Sequence, residues 1–233
     1  MKISIIIPAY NEEKNIDDAV KDISSAMAKE FKEGEWEIII FDDCSQDRTG
    51  EIADKLAKQD SFIKVIHNET NKGLGYNFRK GVEIAKGEYV TWFPGDNENP
   101  AESLMDTIRH ISEADIIIPY TANQEVREKH RRVISGVYTF LNNIMFGLKI
   151  RYYNGLSVYK RDMLLRVPPW GNSFAFAVEI LVPLLKSGFS FLEIPIKIRP
   201  TTKTSALKIK NIIKVGLALL KLFWRINIKR ERI

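Results

Sequence analysis

The sequence lacks most of the features that mark secreted or membrane-spanning proteins. Cys44 is its only cysteine, which excludes an internal disulfide and favours a reducing compartment. The N-terminus enters an apolar run at Ile3 without the basic stretch and apolar core of a signal peptide. The longest segment without a charged residue, 133–148, has 16 residues and is short for a transmembrane helix. We therefore expect a cytoplasmic protein.

Repeats, low-complexity tracts and an obvious linker are also absent, and a content of 45% hydrophobic and 28% charged residues is typical of one globular domain.

The charged residues are unevenly divided between the two halves of the sequence. Residues 1–120 carry 14 basic and 24 acidic side chains, whereas residues 121–233 carry 21 and 6. The acidic half can hold a cation or a base-and-ribose ligand, and the basic half is expected to face an anion. Because no nucleic-acid-binding module is recognisable, a membrane surface or a lipid phosphate is the favoured anion, and nucleic acid is not.

Alternating patterns predict a mainly parallel α/β sheet with helices on both faces. The predicted strands are 3–8, 36–41, 62–66, 88–93 and 115–119, separated by helices at 12–31, 49–58, 76–86 and 100–111. For the second half we expect a buried or interfacial helix at 133–148, sheet at 154–161, a helix at 173–187, a strand at 189–198 and a final helix at 207–228.

The final predicted helix has a basic stripe on an otherwise apolar surface. The stripe consists of Lys210, Lys214, Lys221 and Arg225. In a membrane-spanning helix, each of the two central lysines would cost roughly 2.5–3.5 kcal/mol, against about 0.3–0.6 kcal/mol gained per large apolar residue. We therefore expect residues 207–233 to lie at a membrane interface, beside a globular domain of residues 1–206. Docking on the core or on a second subunit is the alternative.

Polar loops follow the first two predicted strands, at the edge of the sheet where α/β proteins bind ligands. In the first loop, Tyr10 can pack on a nucleobase and Glu12 can accept hydrogen bonds from ribose hydroxyls. In the second, Asp42 or Asp43 can accept the N–H of uracil or guanine. Helix capping, by Asn11 in the first loop and by Ser45 or Asp47 in the second, is the alternative interpretation.

A third loop contains two glycines that let the backbone approach a neighbour closely. Gly73 and Gly75 do not form a dinucleotide fingerprint, because Phe78 occupies the third glycine position. We expect this loop to approach a diphosphate or the next strand. The candidate nucleotide-binding residues of the three loops are Pro8, Ala9, Tyr10, Asn11, Glu12, Asp42, Asp43, Asn71 and Gly73.

These loops together give the sequence a family resemblance. It resembles the family-2 inverting glycosyltransferases of the GT-A fold, nearest the polyprenol- and dolichol-phosphate sugar synthases. The matching segments are Pro-Ala-Tyr-Asn-Glu-Glu at 8–13, Asp-Asp-Cys-Ser-Gln-Asp-Arg-Thr at 42–49, then 71–87 and 94–100, with weaker similarity at 132–135, 154–160, 193–195 and 204–207. The resemblance implies a GT-A, Rossmann-like sheet between helices.

The resemblance also implies a UDP- or GDP-sugar donor and a divalent cation, Mg²⁺ or Mn²⁺. The nucleoside contacts that it implies are Pro8, Tyr10, Glu12 and Asp42. Asp96 matches the second aspartate of an Asp-x-Asp metal site and is the main catalytic candidate, and Glu98 stands at a further ligand position. Two residues depart from the pattern: Pro94 replaces the first aspartate, and Cys44 replaces the usual glycine of the second motif.

The nature of the acceptor decides which other residues take part. A lipid phosphate is already ionised and needs no base, and Arg132, Arg199 and Lys203 would position it. The last two are nearest to Pro200, where the resemblance leads us to expect an arginine. A sugar hydroxyl would need a general base, for which Glu179 is the candidate. A solvated basic face and a buried ion pair are the structural alternatives for these groups.

Three functions stay open at this point. The first is a polyprenyl-phosphate glycosyltransferase, peripheral on the cytoplasmic face of a membrane, with residues 1–120 as its nucleotide-sugar half and 121–206 as its acceptor half. The second is a glycosyltransferase that acts on a glycan hydroxyl. The third is a catalytically degenerate nucleotide-sugar-binding partner, which Pro94 suggests. Completion by a membrane-protein partner or by a homo-oligomer is open in each case.

Overall fold

The computed structural model describes residues 2–200 and 209–233, and it contains a seven-stranded sheet. The strands are β1 (Ile3–Ala9), β2 (Trp36–Asp42), β3 (Ile63–His67), β4 (Tyr89–Trp92), β5 (Ile116–Thr121), β6 (Val158–Lys160) and β7 (Phe191–Ile196). The α-helices are α1 (Ile16–Glu30), α2 (Thr49–Gln59), α3 (Leu74–Ile84), α4 (Ala101–Ile108), α5 (Lys129–Phe146), α6 (Arg161–Arg166), α7 (Phe176–Lys186) and α8 (Ile209–Phe223). A 3₁₀ turn, Gln124–Val126, precedes α5, and a π-helical turn, Trp224–Ile228, follows α8.

The sheet has the strand order β3-β2-β1-β4-β6-β5-β7. Only β6 runs antiparallel to its neighbours, β4 and β5, so the predicted mainly parallel sheet is confirmed. Because β2, β1 and β4 are adjacent and parallel, their carboxyl ends lie side by side. The three loops that follow them therefore share one edge of the sheet, which is the ligand-binding edge of α/β folds.

The alternation of side chains along β1 and β2 fills two cores, one on each face of the sheet. One core includes Ile3 and Ile5 with residues of α1, α2 and α4, and the other includes Ile6 with residues of α3, α6 and α7. Two polar residues interrupt the buried strands. Ser4 Oγ donates a 2.7 Å hydrogen bond to Glu37, whose other carboxylate oxygen accepts from the ammonium of Lys64. The buried carboxylate is thus paired, as burial requires.

The sheet segment expected at 154–161 is shorter in the structure, and a helix that was not predicted follows it. Only β6, three residues long, pairs in the sheet, and α6 begins at the next residue. The backbone before β6 lies close to β5, because a Cβ added at Gly155 would lie 2.2 Å from Pro119 O.

Helices α5 and α8 are much less covered than the others. The buried residues of α5 are Asn142 and Phe146, and that of α8 is Leu222. The end of α8 docks on α5, with the rings of Phe146 and Phe223 6.5 Å apart. The expected start of the final helix at residue 207 lies outside the described residues. Among residues 2–200 and 209–233, none of the helices combines the length and apolar character needed to cross a bilayer.

Candidate active site

The loops after β1 and β2 are tied to each other by hydrogen bonds. Asn11 N donates to Ser45 Oγ at 3.1 Å, and Asn11 Oδ1 accepts from Gln46 N at 2.8 Å. Glu12 N donates to Thr49 Oγ1 at 2.7 Å. The capping alternative for Asn11 is wrong, because α1 begins at Ile16 and its N-cap position is Asn15. Asn11 instead holds the two loops in register at the sheet edge.

Cys44, at the position where the family pattern has a glycine, adopts a backbone conformation that is typical of glycine. Its φ of 64° lies in the left-handed region that glycine adopts freely. Asn11 and Asn97, in the loops after β1 and β4, have φ values of 58° and 56°. The loops after β1, β2 and β4 thus each contain one non-glycine residue with a left-handed backbone. Such strained residues are common at functional sites.

Asp42 is buried, and other residues of the protein engage its carboxylate. One oxygen accepts from Ser45 N at 3.0 Å, and the other lies 2.9 Å from His67 Nδ1. Burial raises the pKa of Asp42, but the hydrogen bonds from Ser45 and His67 outweigh burial and lower the pKa overall. Hydrogen bonds to Asp42 and then to Asp54 raise the pKa of His67. Asp42 therefore shapes the loop as an ionised carboxylate at the expected base-binding position.

Asp43 fixes the third loop. Its carboxylate accepts from Asn68 Nδ2, Lys72 N and Gly73 N, each at 2.8 Å. Asn71 is exposed beside these contacts, and Gly73 has a φ of 87°. The predicted nucleotide-binding residues of all three loops thus converge on one edge, with Tyr10 46% exposed above them.

The glycines of the third loop admit a neighbour that the sequence did not predict. A Cβ added at Gly75 would lie 2.2 Å from Gly171 O, and one at Gly73 would lie 3.0 Å from Asn172 O. Trp170 Nε1 donates to Gly75 O at 2.9 Å. The close approach is therefore made by residues 170–172, which cover the start of α3.

Glu179, the predicted general base, is buried on α7 and supports this covering segment. Its Oε2 accepts from Gly171 N at 3.1 Å. Burial raises the pKa of Glu179, while the hydrogen bond from Gly171 and the charges of Arg225, Lys221 and Arg79 oppose that rise. The hydrogen bond of Glu179 goes to the segment over α3 and not to the loop that carries Asp96.

The loop after β4 brings the predicted metal ligands to the same edge as Glu12. Asp96 Oδ1 accepts from Glu98 N at 2.9 Å. Asp96 keeps an exposed surface, but partial desolvation raises its pKa, while the hydrogen bond from Glu98 and the charge of Arg131 oppose this rise. Desolvation also raises the pKa of Glu12, and the charges of Asp96 and Asp47 raise it further. A hydrogen bond from Asn15 lowers this pKa but does not cancel the rise. The carboxylates of Glu12 and Asp96 thus lie near enough for the charge of Asp96 to affect the pKa of Glu12.

The chemistry of these side chains fits a hard divalent cation as a partial ligand set. Asp96 and Glu98 supply carboxylate oxygens, which Mg²⁺ and Mn²⁺ prefer. Within the described ranges, however, no three His, Cys, Asp or Glu side chains are grouped closely enough to hold a metal ion by themselves. A cation here would need further oxygens from a ligand, which the diphosphate of a nucleotide-sugar can provide.

Arg199, predicted to bind an acceptor phosphate, contacts the loop after β4. Its backbone N donates to Glu98 O at 3.0 Å, and Nη1 donates to Asn97 O at 2.9 Å and to Asn97 Oδ1. Nη2 lies 3.3 Å from Asp22 Oδ2. Arg199 therefore holds the strained turn at Asn97. Lys203, the other predicted cation of this segment, lies outside the described residues.

Arg131 lies at the site, whereas its predicted neighbour Arg132 points elsewhere. The side chain of Arg131 is 13% exposed, with Nη2 3.7 Å from Glu98 Oε1. Arg132 is exposed and lines a second groove, of about 590 Å³, together with Arg151. Successive helical residues point about 100° apart, so only one of the two arginines can face the site. Ser135 and Tyr138, at helical spacing from Arg131, were the signal that could have identified this face.

A groove of about 270 Å³ runs between α5 and α8 beside Arg131. It is lined by Arg127, Arg131, Ile134, Ser135, Tyr138, Tyr152, Asn154, Phe174, Ile212 and Val215. Arg127 Nη1 donates to Tyr152 OH at 3.2 Å. Arg127 Nε and the Tyr138 hydroxyl are buried and have no hydrogen-bond partner among the described residues. The groove therefore combines a largely apolar lining with arginine and tyrosine side chains whose polar atoms are partly buried.

The sequence is similar to those of known glycosyltransferases. The family model described as glycosyl transferase family 2 matches residues 4–167. A glycosyltransferase of Haloferax volcanii, AglD, is 24% identical over 98% of the chain. The dolichyl-phosphate beta-glucosyltransferase ALG5D of Trichomonas vaginalis is 26% identical over 97% of the chain and 75% of its own length. The chain spans only 38% of the length of AglD.

A solved structure supports the fold. Glucosyl-3-phosphoglycerate synthase from Mycobacterium tuberculosis, in complex with Mn²⁺, UDP and glucosyl-3-phosphoglycerate, superposes with a TM-score of 0.70. The alignment covers 95% of this chain and 79% of that one, at 15% identity. The similarity establishes a common fold, with the GT-A arrangement that the sequence predicted.

Proposed function

The chain belongs to glycosyl transferase family 2, and we propose that it moves a sugar from a UDP- or GDP-sugar onto a polyprenyl phosphate with inversion at the anomeric carbon. The family match and the glycosyltransferase relatives establish the enzyme class. The dolichyl-phosphate relative supports a lipid phosphate acceptor. In this proposal the protein works at a membrane surface, peripheral on its cytoplasmic face, with a membrane-protein partner or a second copy as further candidates for assembly.

The observation that carries the acceptor proposal is the groove between α5 and α8. Its arginines, Arg127 and Arg131, can hold a phosphate by charge-assisted hydrogen bonds, and the orphaned Tyr138 hydroxyl can add another. The apolar lining can accept the first isoprene units. Arg131 also approaches Glu98, so a phosphate bound there would lie next to the loop that carries Asp96.

The donor is proposed to bind across the three tied loops of residues 1–120, with the acceptor held by residues 121–206 together with Ile212 and Val215 of α8. Tyr10 is exposed at the edge and can stack on the base, while Glu12 can accept from the ribose. When bound, a divalent cation held by Asp96, Glu98 and the donor diphosphate would neutralise charge on the leaving group. Arg199 keeps the loop of Asp96 and Glu98 in place through Asn97.

In the proposed transfer, an oxygen of the acceptor phosphate attacks the anomeric carbon on the face opposite the diphosphate. The bond to the diphosphate oxygen breaks as the new carbon–oxygen bond forms, and nucleoside diphosphate leaves. The acceptor phosphate is ionised near neutral pH, so no residue has to remove a proton. Arg127 and Arg131 would orient the attacking group, and fixed orientation accounts for much of the rate enhancement of such reactions.

A glycan hydroxyl is the alternative acceptor, and the buried carboxyl with a raised pKa on α7 is the observation in its favour. Glu179 would then remove the hydroxyl proton. Its hydrogen bond to Gly171 supports a positioning role instead.

The test is transfer of labelled sugar from a panel of UDP- and GDP-sugars into organic-extractable polyprenyl phosphate, with and without Mg²⁺ or Mn²⁺. We expect metal-dependent label in the lipid fraction. Donor binding by calorimetry without any lipid label, but with label on an oligosaccharide, would replace the proposed acceptor. Donor binding without transfer to either acceptor would contradict both.

A further inference from the structure

Two helices carry most of the exposed apolar surface of the protein. In the described part of the chain, 18 large apolar side chains are exposed, and 13 of them belong to α5, α8 and the π-helical turn. They are Val133, Ile134, Val137, Phe140, Leu141, Ile144, Ile209, Ile212, Ile213, Leu217, Leu220, Trp224 and Ile228. Of the other five, Phe174 lines the groove and four lie elsewhere, whereas a patch of this kind marks an interaction surface.

The helices form one surface because they line the same groove. Ile134 of α5 and Ile212 of α8 are 45% and 53% exposed, and both also line the groove. The groove therefore reaches the apolar surface at the junction of the two helices. The far end of α8 is anchored in the protein, with Leu222 and Ile226 buried.

The charged side chains on α5 and α8 themselves have one sign. The sequence contains no Asp or Glu between residues 129 and 160 or between 194 and 230. Lys129, Arg132 and Lys149 on the α5 side are exposed, and so are Lys210, Lys214 and Lys221 on α8. An apolar face with a basic rim is complementary to a bilayer that contains anionic lipids. Two copies facing each other through this surface would instead bring basic rims together.

We propose that α5 and α8 together form one bilayer-docking surface, which lies flat on a membrane containing anionic lipid and opens the groove between them directly to the lipid phase. The new element is α5, since α8 alone would bring the groove to the membrane from one side only. The surface itself requires no assumption about catalysis. Only the role of the groove as an entrance for lipid rests on the proposed function.

The experiment measures co-sedimentation of the full chain with phosphatidylcholine vesicles and with mixed phosphatidylcholine–phosphatidylglycerol vesicles. The α5 variant is V137S/L141S, the α8 variant is L217S/L220S, and the matched control, with exposed apolar residues elsewhere, is I84S/F191S. We expect each helix variant to lower the partition coefficient on anionic vesicles by at least about tenfold, and the control to leave it unchanged. Replacing each exposed lysine of α8 by glutamine should reduce anionic binding by about fivefold.

Several results would overturn the proposal. If the α5 variant binds like the unchanged protein while the α8 variant does not, α8 alone is the docking element. If the protein binds no vesicles and forms a dimer that V137S/L141S dissociates, the surface belongs to a second copy. Circular dichroism and thermal unfolding of each variant show whether a loss of binding reflects unfolding.

A parallel assay separates this inference from the proposed function. Transfer to a short, water-soluble isoprenyl phosphate is measured without vesicles, and both helix variants should retain it because neither changes a residue that lines the groove. If the unchanged protein binds anionic vesicles but transfers no sugar to any isoprenyl phosphate, the proposed acceptor is wrong and the docking surface stands. If it transfers sugar but binds no vesicles, the docking surface is wrong.

Discussion

The proposed donor edge and the proposed acceptor side of this protein are built in opposite ways. At the donor edge, the polar groups of the loops satisfy one another: Asp43 alone accepts three hydrogen bonds, and Asn11 links two loops. On the acceptor side, Arg127 Nε and the Tyr138 hydroxyl are buried without a partner among the described residues. The hydrogen bonds of the first region hold its loops to one another, whereas the second leaves two polar groups that a bound acceptor would satisfy under the proposed function.

The largest effect is expected from removing the carboxylate of Asp96, which lies within reach of the charge of Arg131. Asp96→Asn should lower kcat/KM by about 10²–10³-fold, because charge stabilisation of the leaving group is lost while the loop keeps its hydrogen bond to Glu98. Labelled-sugar transfer measures the effect. Asp106→Asn, the same change on an exposed residue of α4, is the control. Equal activity of both variants would remove Asp96 from the site.

A smaller effect is expected from replacing Arg131, and replacing its neighbour Arg132 should have little effect. Arg131→Gln should raise KM for the isoprenyl phosphate about 10–100-fold, the usual value of a lost charge-assisted hydrogen bond, and leave donor binding intact. Arg132→Gln should change little, because its side chain lies in the other groove. Steady-state kinetics with varied acceptor, together with calorimetry of UDP binding, provide the measurement. A larger loss in Arg132→Gln would restore the assignment made from the sequence.

Two changes at Glu179 test whether it positions the segment over α3 or acts as a base. Glu179→Gln keeps an oxygen for Gly171 N and should retain most activity, whereas Glu179→Ala leaves that buried N–H unpaired and should cost about 1–3 kcal/mol of unfolding free energy. Urea denaturation and a pH profile of kcat are the measurements. Abolished transfer in Glu179→Gln, together with loss of the acidic limb of the profile, would favour the hydroxyl acceptor.

The smallest expected effect concerns the Asp42–His67 pair of the donor edge. The pKa of His67 in the folded protein is raised above 6.5. Its contribution to the free energy of unfolding is therefore complete below pH 6.5 and is lost as the pH rises through the folded-state pKa. The folded pKa of Asp42 is lowered below 3.8, so its contribution is lost only as the pH falls through that lower value. The stability difference between the unchanged protein and His67→Gln should therefore shrink as the pH rises above about 6.5.

Because the His67 ring is half exposed, solvent screening limits this stability difference to about 0.5 kcal/mol. Urea denaturation across the pH range measures it, with His110→Gln as the control for a surface histidine beside a carboxylate. A stability difference that grows with pH would contradict the assigned directions of the two pKa shifts.

The two regions also differ in how well the sequence predicts them. Strands β1 to β5 and the loops at their carboxyl ends follow from continuous apolar runs and from polar residues at fixed positions after them. These are local signals, and the structure confirms the predicted sheet. The clustering of Asp42, Asp43 and Gly73 also follows, because it needs only the parallel order of neighbouring strands.

The acceptor side depends on contacts between distant segments, which no local pattern encodes. Arg199 contacts Asn97, and Gly171 lies on Gly75, across roughly a hundred residues of chain in each case. The choice between Arg131 and Arg132 depends on the rotation of α5 about its axis, and packing of the folded chain fixes that rotation. The residue types in the sequence indicated a basic acceptor side but not which residues would meet there.

Cys44 has a consequence for observing the protein at work. It is the only thiol in the chain, it is partly accessible, and a fixed left-handed turn places it between the second and third loops, with Sγ 3.5 Å from Glu69 O. A fluorophore attached there would report from one defined position beside the donor edge, without background from other cysteines. The residue that departs from the family pattern thus offers a spectroscopic probe of nucleotide binding and release.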